Sequence, residues 1–349
     1  MSIIIAVLVL GMIILIHELG HFLLAKLNGI GVLECSLGMG PRVWSFEKGG
    51  TRYSVKILPF GGSCMMLGED EANEDEHAFG NKSVWARISV VAAGPAFNFL
   101  LAFGLALILV GATGYNETYV VGTEEGYPAY AAGIRAGDEI VSINGRRVHS
   151  YQDITTYLFT HPQREVTVTW KRRTEDGKTE TMKAEMEPVY SPQSGQYKIG
   201  VAFDGKVCRA ENPVELAKRA CYEVQFWIRY VFDSFYMMFH GLVSVEEISG
   251  PVGIVTAIDS ATEEAAPYGI TAVLLMLVNF SVLLSSNLGV MNLLPIPALD
   301  GGRLVFLLLE AVRGKPVDKE KEGMVHMAGM ALLLALMVLI LFNDVRKLF

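Results

Sequence analysis

Charged side chains are scarce in this sequence of 349 residues: they make up 19% of the chain, where about a quarter is usual in soluble proteins. Hydrophobic residues reach 51%. There is no block of basic residues and the formal net charge is −8, so nucleic acid is not expected as a partner. The chain has only 4 cysteines, and no two form Cys-x-x-Cys, which excludes a zinc ribbon and a dithiol motif. The scarcity of charged residues indicates a membrane protein.

Four stretches carry almost no charge, and each is close to the ~20 residues that a membrane-spanning helix needs. They are residues 2–25, 88–114, 269–299 and 324–342. Lysine and arginine gather in the loops after the first and third stretches, so the positive-inside rule places these loops in the cytoplasm and both termini outside.

A fifth helical stretch, residues 211–243, is interrupted by charge. Arg229 and Asp233 lie four residues apart within it, and aromatic residues surround them. This pattern predicts an amphipathic helix on the outer membrane surface, with aromatic anchors, and not a fifth span.

The first apolar stretch contains LIHELGHFLLAK at residues 15–26. His17 and His21 are four residues apart and lie on one face of a helix, which suits two imidazoles on one zinc ion. Glu18 falls beside the metal, where it can take a proton from bound water. The same pattern occurs by chance in soluble helices. Here it lies inside an apolar span, where ionisable groups are costly, and that favours a metal site.

A catalytic zinc ion keeps three protein ligands and one open position, so a third ligand is required. Asp300 is the only acidic residue between residues 269 and 302. With four spans, the first and third cross the membrane in the same direction, so Asp300 can share the depth of His17 and His21. We expect one zinc ion per chain.

These motifs resemble those of the site-2 protease family, and within it the bacterial regulator-of-sigma-E type. HELGH matches the family's HExGH, and NLLPIPALDGG at residues 292–302 matches Asn-x-x-Pro-x-Pro-x-x-Asp-Gly. The resemblance implies that Asp300 is the third zinc ligand and that Asn292 helps to hold the substrate backbone. GPAFN at residues 94–98 matches the family's Gly-x-x-x-Asn, which implies a substrate role for Asn98. Helix packing through Gly94 is the alternative.

A β-hairpin is predicted at residues 43–60, where polar and apolar residues alternate around a turn at Lys48-Gly49-Gly50. A substrate helix hides its peptide bonds in its own hydrogen-bond ladder, so a protease must hold the substrate extended. The family resemblance implies a membrane-associated β-loop whose edge strand pairs with the unwound substrate. The residues expected to contact substrate there are Val55, Ile57, Gly61 and Gly62.

Residues 127–148, YPAYAAGIRAGDEIVSINGRRV, resemble the signature of a PDZ domain. A helix is expected at residues 151–160 and strands at 164–171 and 179–187. YKIGVAF at residues 197–203 looks like the carboxylate-binding loop and groove strand, the order of a circularly permuted PDZ domain. The predicted groove residues are Ile199, Gly200 and Val201. The expected task of this domain is to exclude intact ectodomains by size, and the alternative is that it binds a free C-terminus.

The expected fold is a polytopic α-helical membrane protein with four transmembrane helices, a membrane-associated β-hairpin and one inserted extracytoplasmic PDZ domain. The predicted segments are a first span (1–27), a cytoplasmic-side loop with the hairpin (28–84), a second span (85–114), the PDZ domain (115–206), a surface helix (207–250), a third span (268–302), a cytoplasmic loop (303–322) and a fourth span (323–344).

The sequence and the resemblance predict an intramembrane zinc endopeptidase of the bacterial plasma membrane that works as a monomer. By family, its substrates are pre-trimmed single-span proteins such as anti-sigma factors, or remnant signal peptides. The alternative is a silent membrane scaffold that uses the PDZ domain as an adaptor. The presence of His17, Glu18, His21 and Asp300 together argues against it. A zinc transporter would need more intramembrane ligands than these spans offer.

Overall fold

The computed structural model describes residues 2–69, 73–162, 164–244 and 250–347. The chain divides into two compact units. One is formed by residues 1–106 together with 245–349, and the other by residues 107–244.

Four helices are long and apolar enough to cross a membrane, counted over the described residues. Their mean hydropathy over 18 residues is 2.2, 2.1, 1.9 and 2.6, in chain order. They are α1 Ser2–Leu27, α2 Val84–Thr113, α7 Ile270–Leu293 and α9 Lys319–Arg346. The prediction of four apolar helices of membrane-spanning length is confirmed. The third ends at Leu293, earlier than the apolar stretch suggested, because LPIPA breaks the helix with two prolines.

The first unit also holds a sheet of two long, bent strands, β1 Val32–Lys48 and β2 Thr51–Met66. Gly49 (φ 62°) and Gly50 (φ 73°) form the turn between them, where only glycine adopts positive φ without cost. The sheet therefore extends well beyond the hairpin predicted at residues 43–60.

The register of this sheet differs from the expectation that Val55 lies on an edge strand. Tyr53 faces both Cys35 and Phe46, and Val55 faces both Leu37 and Trp44. Residues 52–55 therefore form an inner row with partners on both sides. The outer rows are residues 42–48 and residues 62–66, each paired on one side only among the described residues. We call residues 62–66 the edge segment.

A buried carboxylate stabilises the sheet where it bends. Glu34 is 4% exposed and accepts two hydrogen bonds from the Arg42 guanidinium, at 3.1 and 2.5 Å. Ser54 donates a further bond to the same carboxylate, and Lys56 lies 3.6 Å away. The bond from Arg42 is the main cause that holds the pKa of Glu34 at about 2, with Ser54 and Lys56 adding to it.

Two further helices of the first unit were not predicted as separate elements. The helix α8 Asp300–Arg313 begins at the metal-ligand candidate and covers much of the predicted loop 303–322. The helix α6 Pro251–Ala265 precedes α7. The carboxylate of Asp344 in α9 accepts the backbone N–H groups of Gly250 (3.1 and 3.0 Å) and Gly253 (3.0 Å), which caps α6.

The second unit is a small α+β domain followed by a long helix. Its elements are β3 Tyr115–Asn116, β4 Val120–Thr123, α3 Pro128–Ala131, β5 Glu139–Ile143, β6 Arg146–Arg147, α4 Tyr151–Thr160, β7 Val166–Arg173, β8 Thr179–Met186, β9 Val189–Ser191, β10 Gln196–Lys198, β11 Val201–Phe203, β12 Val207–Cys208 and α5 Pro213–Phe239. A four-stranded sheet has the order β6-β5-β7-β8, and β11 pairs with β4. The core is formed mainly by aliphatic side chains of this sheet and of α4, with Trp170 and Tyr157.

This element order follows the prediction for residues 127–203 closely. Helix α4 spans the predicted residues 151–160, and Ser150 and Asp153 form a capping box at its start. The turn at Asn144 (φ 46°) and Gly145 (φ 75°) joins β5 to β6, as the dipeptide predicts.

Helix α5 lies against this α+β domain through its charged face. Asp233 is 4% exposed and accepts two bonds from Arg146, at 2.6 and 2.8 Å. Arg229 donates to the Arg147 carbonyl (2.8 Å), and its guanidinium lies 3.8 Å from Asp153. The charges that interrupt the apolar pattern of residues 211–243 are thus used to bind a neighbouring domain.

Candidate metal centre

Helix α1 brings the two histidines of HELGH together on its inner face. His17 and His21 are 8% and 7% exposed, and their Nε2 atoms lie 3.2 Å apart. One helical turn separates the residues, so both rings project from the same side of α1. The predicted pairing of the two imidazoles is present.

Asp300 reaches the same point from the start of α8. Its Oδ2 atom lies 3.3 Å from the Nε2 atom of His17 and 3.3 Å from that of His21. Gly301 and Gly302 allow the first turn of α8 to fold onto the preceding loop, since a Cβ at Gly302 would lie 2.5 Å from the Ile296 carbonyl oxygen. The double glycine after Asp300 is therefore a packing requirement.

The three converging atoms suit a zinc ion. Two imidazole nitrogens and one carboxylate oxygen form a common ligand set of catalytic zinc. Ligands at about 2.0–2.1 Å from a tetrahedral metal are about 3.3 Å from one another, and the observed separations are 3.2, 3.3 and 3.3 Å. Within the described residues, these three side chains are the one cluster of metal-binding type.

The remaining ring nitrogens of both histidines contact α2. His21 Nδ1 lies 2.9 Å from the Val90 carbonyl oxygen, to which it donates. His17 Nδ1 lies 3.1 Å from the Asn98 amide. The amide nitrogen of Asn98 faces His17, and its buried Oδ1 has no partner among the described residues. With the amide turned by 180°, Oδ1 would accept the proton of His17 Nδ1. Protons on both Nδ1 atoms leave both Nε2 atoms free for a metal.

Two glycines let α1 and α2 approach closely enough for these contacts. A Cβ at Gly94 would lie 2.7 Å from His17 Cε1 and would overlap the His21 ring. A Cβ at Gly20, in the HELGH motif itself, would lie 2.5 Å from the Ala93 carbonyl oxygen. Gly94 therefore packs α2 against the two candidate metal ligands, as the packing alternative expects, and this leaves the substrate role of Asn98 untested.

Glu18 points to the edge segment. A Cβ at Gly62 would lie 2.7 Å from Glu18 Cγ, so the absence of a side chain at Gly62 lets the sheet reach the carboxylate. Gly61 has a φ of 78° and packs against Met39. These two glycines, predicted as substrate contacts, bring a free strand edge beside the predicted catalytic base.

The other residues predicted to contact substrate lie on different elements and differ in burial. Asn98 is fully buried against His17, and Ser285 of α7 donates to its carbonyl oxygen at 2.8 Å. Asn292 lies partly buried in the last turn of α7. Val55 belongs to the inner row, and Ile57 is exposed on β2. Substrate contact by these residues stays a prediction. Val90 and Ser285 carry no sequence signal, since one acts through its backbone and the other is an ordinary serine.

A cavity of about 840 Å³ connects Asp300 with the edge segment. Ion pairs line it: Arg303 contacts Glu69, and Arg87 of α2 binds Glu310 of α8 at 3.1 Å. The cavity is large enough to hold water and an extended peptide segment beside Asp300.

In the second unit, the predicted groove residues Ile199 and Gly200 lie between β10 and β11, and Val201 begins β11. Ile199 is 3% exposed, with its side chain in the domain core, so only its main chain is available to a ligand. Gly200 has a φ of 78°, and any side chain there would overlap Tyr127. Val201 packs partly against the core. Peptide binding by these residues stays a prediction.

Together, the apolar helices and the His-His-Asp cluster describe a multi-pass membrane protein with a candidate metal centre. The sequence profile of peptidase family M50 matches residues 5–336. The chain belongs to this family, the site-2 proteases.

The chain is similar over its full length to named members. It is 39% identical to a candidate zinc metalloprotease of Clostridium acetobutylicum (99% of this chain, 97% of the relative). It is 31% identical to the zinc metalloprotease RasP of Geobacillus kaustophilus (100% and 98%) and 30% identical to the regulator of sigma-W protease RasP of Bacillus subtilis (98% and 98%).

Two solved PDZ domains match part of the chain. They come from the SdrC-like proteins of Listeria monocytogenes and Listeria innocua, with 23% and 26% identity and a TM-score of 0.22 each. Each match covers 26% of this chain, and 88% and 97% of the respective domain.

Proposed function

We propose that this protein is an intramembrane zinc endopeptidase in which His17, His21 and Asp300 bind one zinc ion. The observation that carries the proposal is the convergence of three ligand atoms, 3.2–3.3 Å apart, at the end of apolar helices. When bound, zinc would polarise a scissile carbonyl and lower the pKa of a water molecule.

The chain's own residues supply the remaining chemistry. Glu18 takes the proton from the attacking water and delivers it to the leaving amine nitrogen, so the peptide bond is hydrolysed without net proton release at the carboxylate. Val90 and Asn98 keep both imidazoles in the tautomer that presents Nε2. Asn292, at the end of α7, is the proposed anchor for the substrate backbone.

Substrate is held extended by pairing with the edge segment. Leu67 donates its N–H inward to the Gly31 carbonyl oxygen at 2.8 Å, whereas Met66 donates outward to Glu69 at 3.2 Å. Successive N–H groups of a strand alternate in direction, so the N–H groups of Cys64 and Gly62 also point to the free side. An added strand would bond to these groups and pass next to Glu18.

The substrates we propose are single-span membrane proteins whose outer domains have been removed. One relative is named a regulator of sigma-W protease, which supports anti-sigma factors as a class. Remnant signal peptides have the same chemistry. The α+β domain would act as a PDZ domain outside the membrane and exclude bulky ectodomains. Both termini would lie on the same outer side, in the bacterial plasma membrane.

Co-expression with tagged single-span substrates tests the proposal. Each substrate should be present in two forms, with its full ectodomain and with a short stub. We expect cleavage of the stub form and little of the full form, and no cleavage by the Glu18→Gln variant. Identical fragments from wild type and Glu18→Gln would contradict the enzymatic proposal and leave a scaffold role.

A further inference from the structure

The loop that delivers Asp300 contains a strained residue. Ala298, two positions before Asp300, has a φ of 76°. Among the described residues, Asn144 is the other non-glycine residue with positive φ, and it lies in a tight turn. Alanine has no side-chain hydrogen bond to compensate for this conformation, so the surrounding structure must hold it.

A histidine of α9 stabilises this conformation of Ala298. His326 Nδ1 accepts the backbone N–H of Ala298 at 2.9 Å. Acceptance at Nδ1 requires the proton of a neutral ring to sit on Nε2, which lies 3.9 Å from Glu322. The His326 side chain is 20% exposed, and its ring is 5.6 Å from that of Phe306 in α8. Its orientation is thus fixed by both helices.

The residues on either side of Ala298 are also closely packed. Gly329 lies one turn beyond His326, and a Cβ there would lie 2.7 Å from the Pro297 carbonyl oxygen. On the other side, the first turn of α8 touches the loop through Gly301 and Gly302. The loop is packed between α8 and α9, so a shift at Ala298 would move Asp300 relative to the two imidazoles.

We propose that His326 is a positioning residue for the metal ligand Asp300. It keeps Ala298 in the left-handed conformation and so holds the carboxylate 3.3 Å from both histidine nitrogens. His326 itself is outside the cluster of candidate metal ligands. This inference rests on the proposed function, in which Asp300 is a zinc ligand.

The test uses substitutions that keep or move the acceptor atom. The Oδ1 atom of asparagine can take the place of Nδ1, whereas the longer glutamine places its amide near Nε2. In the purified full chain, His326→Leu and His326→Gln should weaken zinc binding by about tenfold or more, the range seen when a residue that orients a metal ligand is lost. His326→Asn should stay within about threefold of wild type. Zinc affinity is measured by competition with a chelator, and Met327→Leu is the control, since Met327 is 62% exposed next to His326.

A second variant tests the route through Ala298. Ala298→Gly removes the cost of positive φ, so the double variant His326→Leu/Ala298→Gly should recover most of the lost zinc affinity. Wild-type affinity in His326→Leu, equal affinity of the asparagine and glutamine variants, or no recovery in the double variant would each overturn the inference. Zinc binding that is unaffected by Asp300→Ala would instead refute the proposed function.

Discussion

At the scale of single residues, the candidate centre depends on small groups around the ligands as much as on the ligands themselves. The imidazoles of His17 and His21 fit only because Gly94 has no side chain, and Asn98 holds the ring of His17 from behind. The motif GPAFN therefore combines helix packing at Gly94 with a contact from Asn98 to a candidate metal ligand, and the substrate role of Asn98 stays a prediction. Two substitutions in α2 separate these tasks.

Replacement of Gly94 should remove the metal. Gly94→Ala places a methyl group 2.6 Å from His21 Cε1 and 2.7 Å from His17 Cε1, so the rings must turn away from Asp300. We expect loss of bound zinc and of cleavage. Gly104→Ala in the same helix is the matched control, because nothing lies within 4 Å of its added Cβ. Wild-type zinc content in purified Gly94→Ala would show that α1 and α2 can separate without cost.

Replacement of Asn98 should weaken the metal site without removing it. Asn98→Ala leaves His17 Nδ1 without an acceptor, and zinc affinity should fall by about 10–100-fold. Asn98→Asp keeps an acceptor oxygen and should bind zinc much more tightly than the alanine variant. Chelator competition on both proteins decides between them. Equal affinity of the two variants would mean that Asn98 supports the site only by packing.

At the scale of elements, the sheet of β1 and β2 is the part that sequence reasoning placed least well. The alternation of polar and apolar residues and the Gly49-Gly50 turn correctly predicted a hairpin, but they did not predict which other strand segments pair with it. Residues 34–37 lie between residues 52–55 and the edge segment and pair with both. Local sequence patterns do not predict a pairing between such distant stretches. The free edge near Glu18 is therefore about ten residues beyond the one expected.

Proline at the edge segment tests strand pairing. Cys64→Pro removes an N–H that points to the free side, where proline is tolerated in a strand, so the sheet and zinc binding should persist while cleavage is lost. Cys64→Ala keeps the N–H and should cleave nearly as well as wild type. Ser63→Pro removes an inward N–H and should instead destabilise the sheet. The cleaved fraction is compared in the same membranes, and cleavage by Cys64→Pro at the level of Cys64→Ala would contradict presentation by this strand.

At the scale of the whole molecule, long-range order was predicted best where one physical requirement dominates. Membrane thickness fixes the length of the spans, and metal coordination fixes the spacing of His17 and His21. Helix α8 was missed because its fourteen residues are amphipathic and follow an apolar run directly. The hydrogen bond from Ala298 to His326 could not be predicted, because nothing in the sequence PALDGG indicates that its alanine has a positive φ.

The proposed arrangement in the membrane makes a prediction about α5. Gln225 and Ser234 are exposed on this helix, whereas Asp233 is buried against Arg146 and is unsuitable as a probe. Cysteines at Gln225 or Ser234, in a chain lacking the native cysteines, should react with a membrane-impermeant thiol reagent added outside intact cells. A cysteine at Lys315 is the control and should react only after the membrane is opened. The reverse pattern would overturn the proposed orientation.

The most direct test of the account is the metal content of purified variants. Zinc should be present at about one ion per chain in wild type and in Glu18→Gln, since that glutamate is the proposed base and not a ligand. His17→Ala and His21→Ala should lose it, and Asp300→Asn should bind it more weakly because an amide is a poorer ligand than a carboxylate. Full zinc occupancy in a His17→Ala/His21→Ala double variant would contradict the assignment of the metal centre.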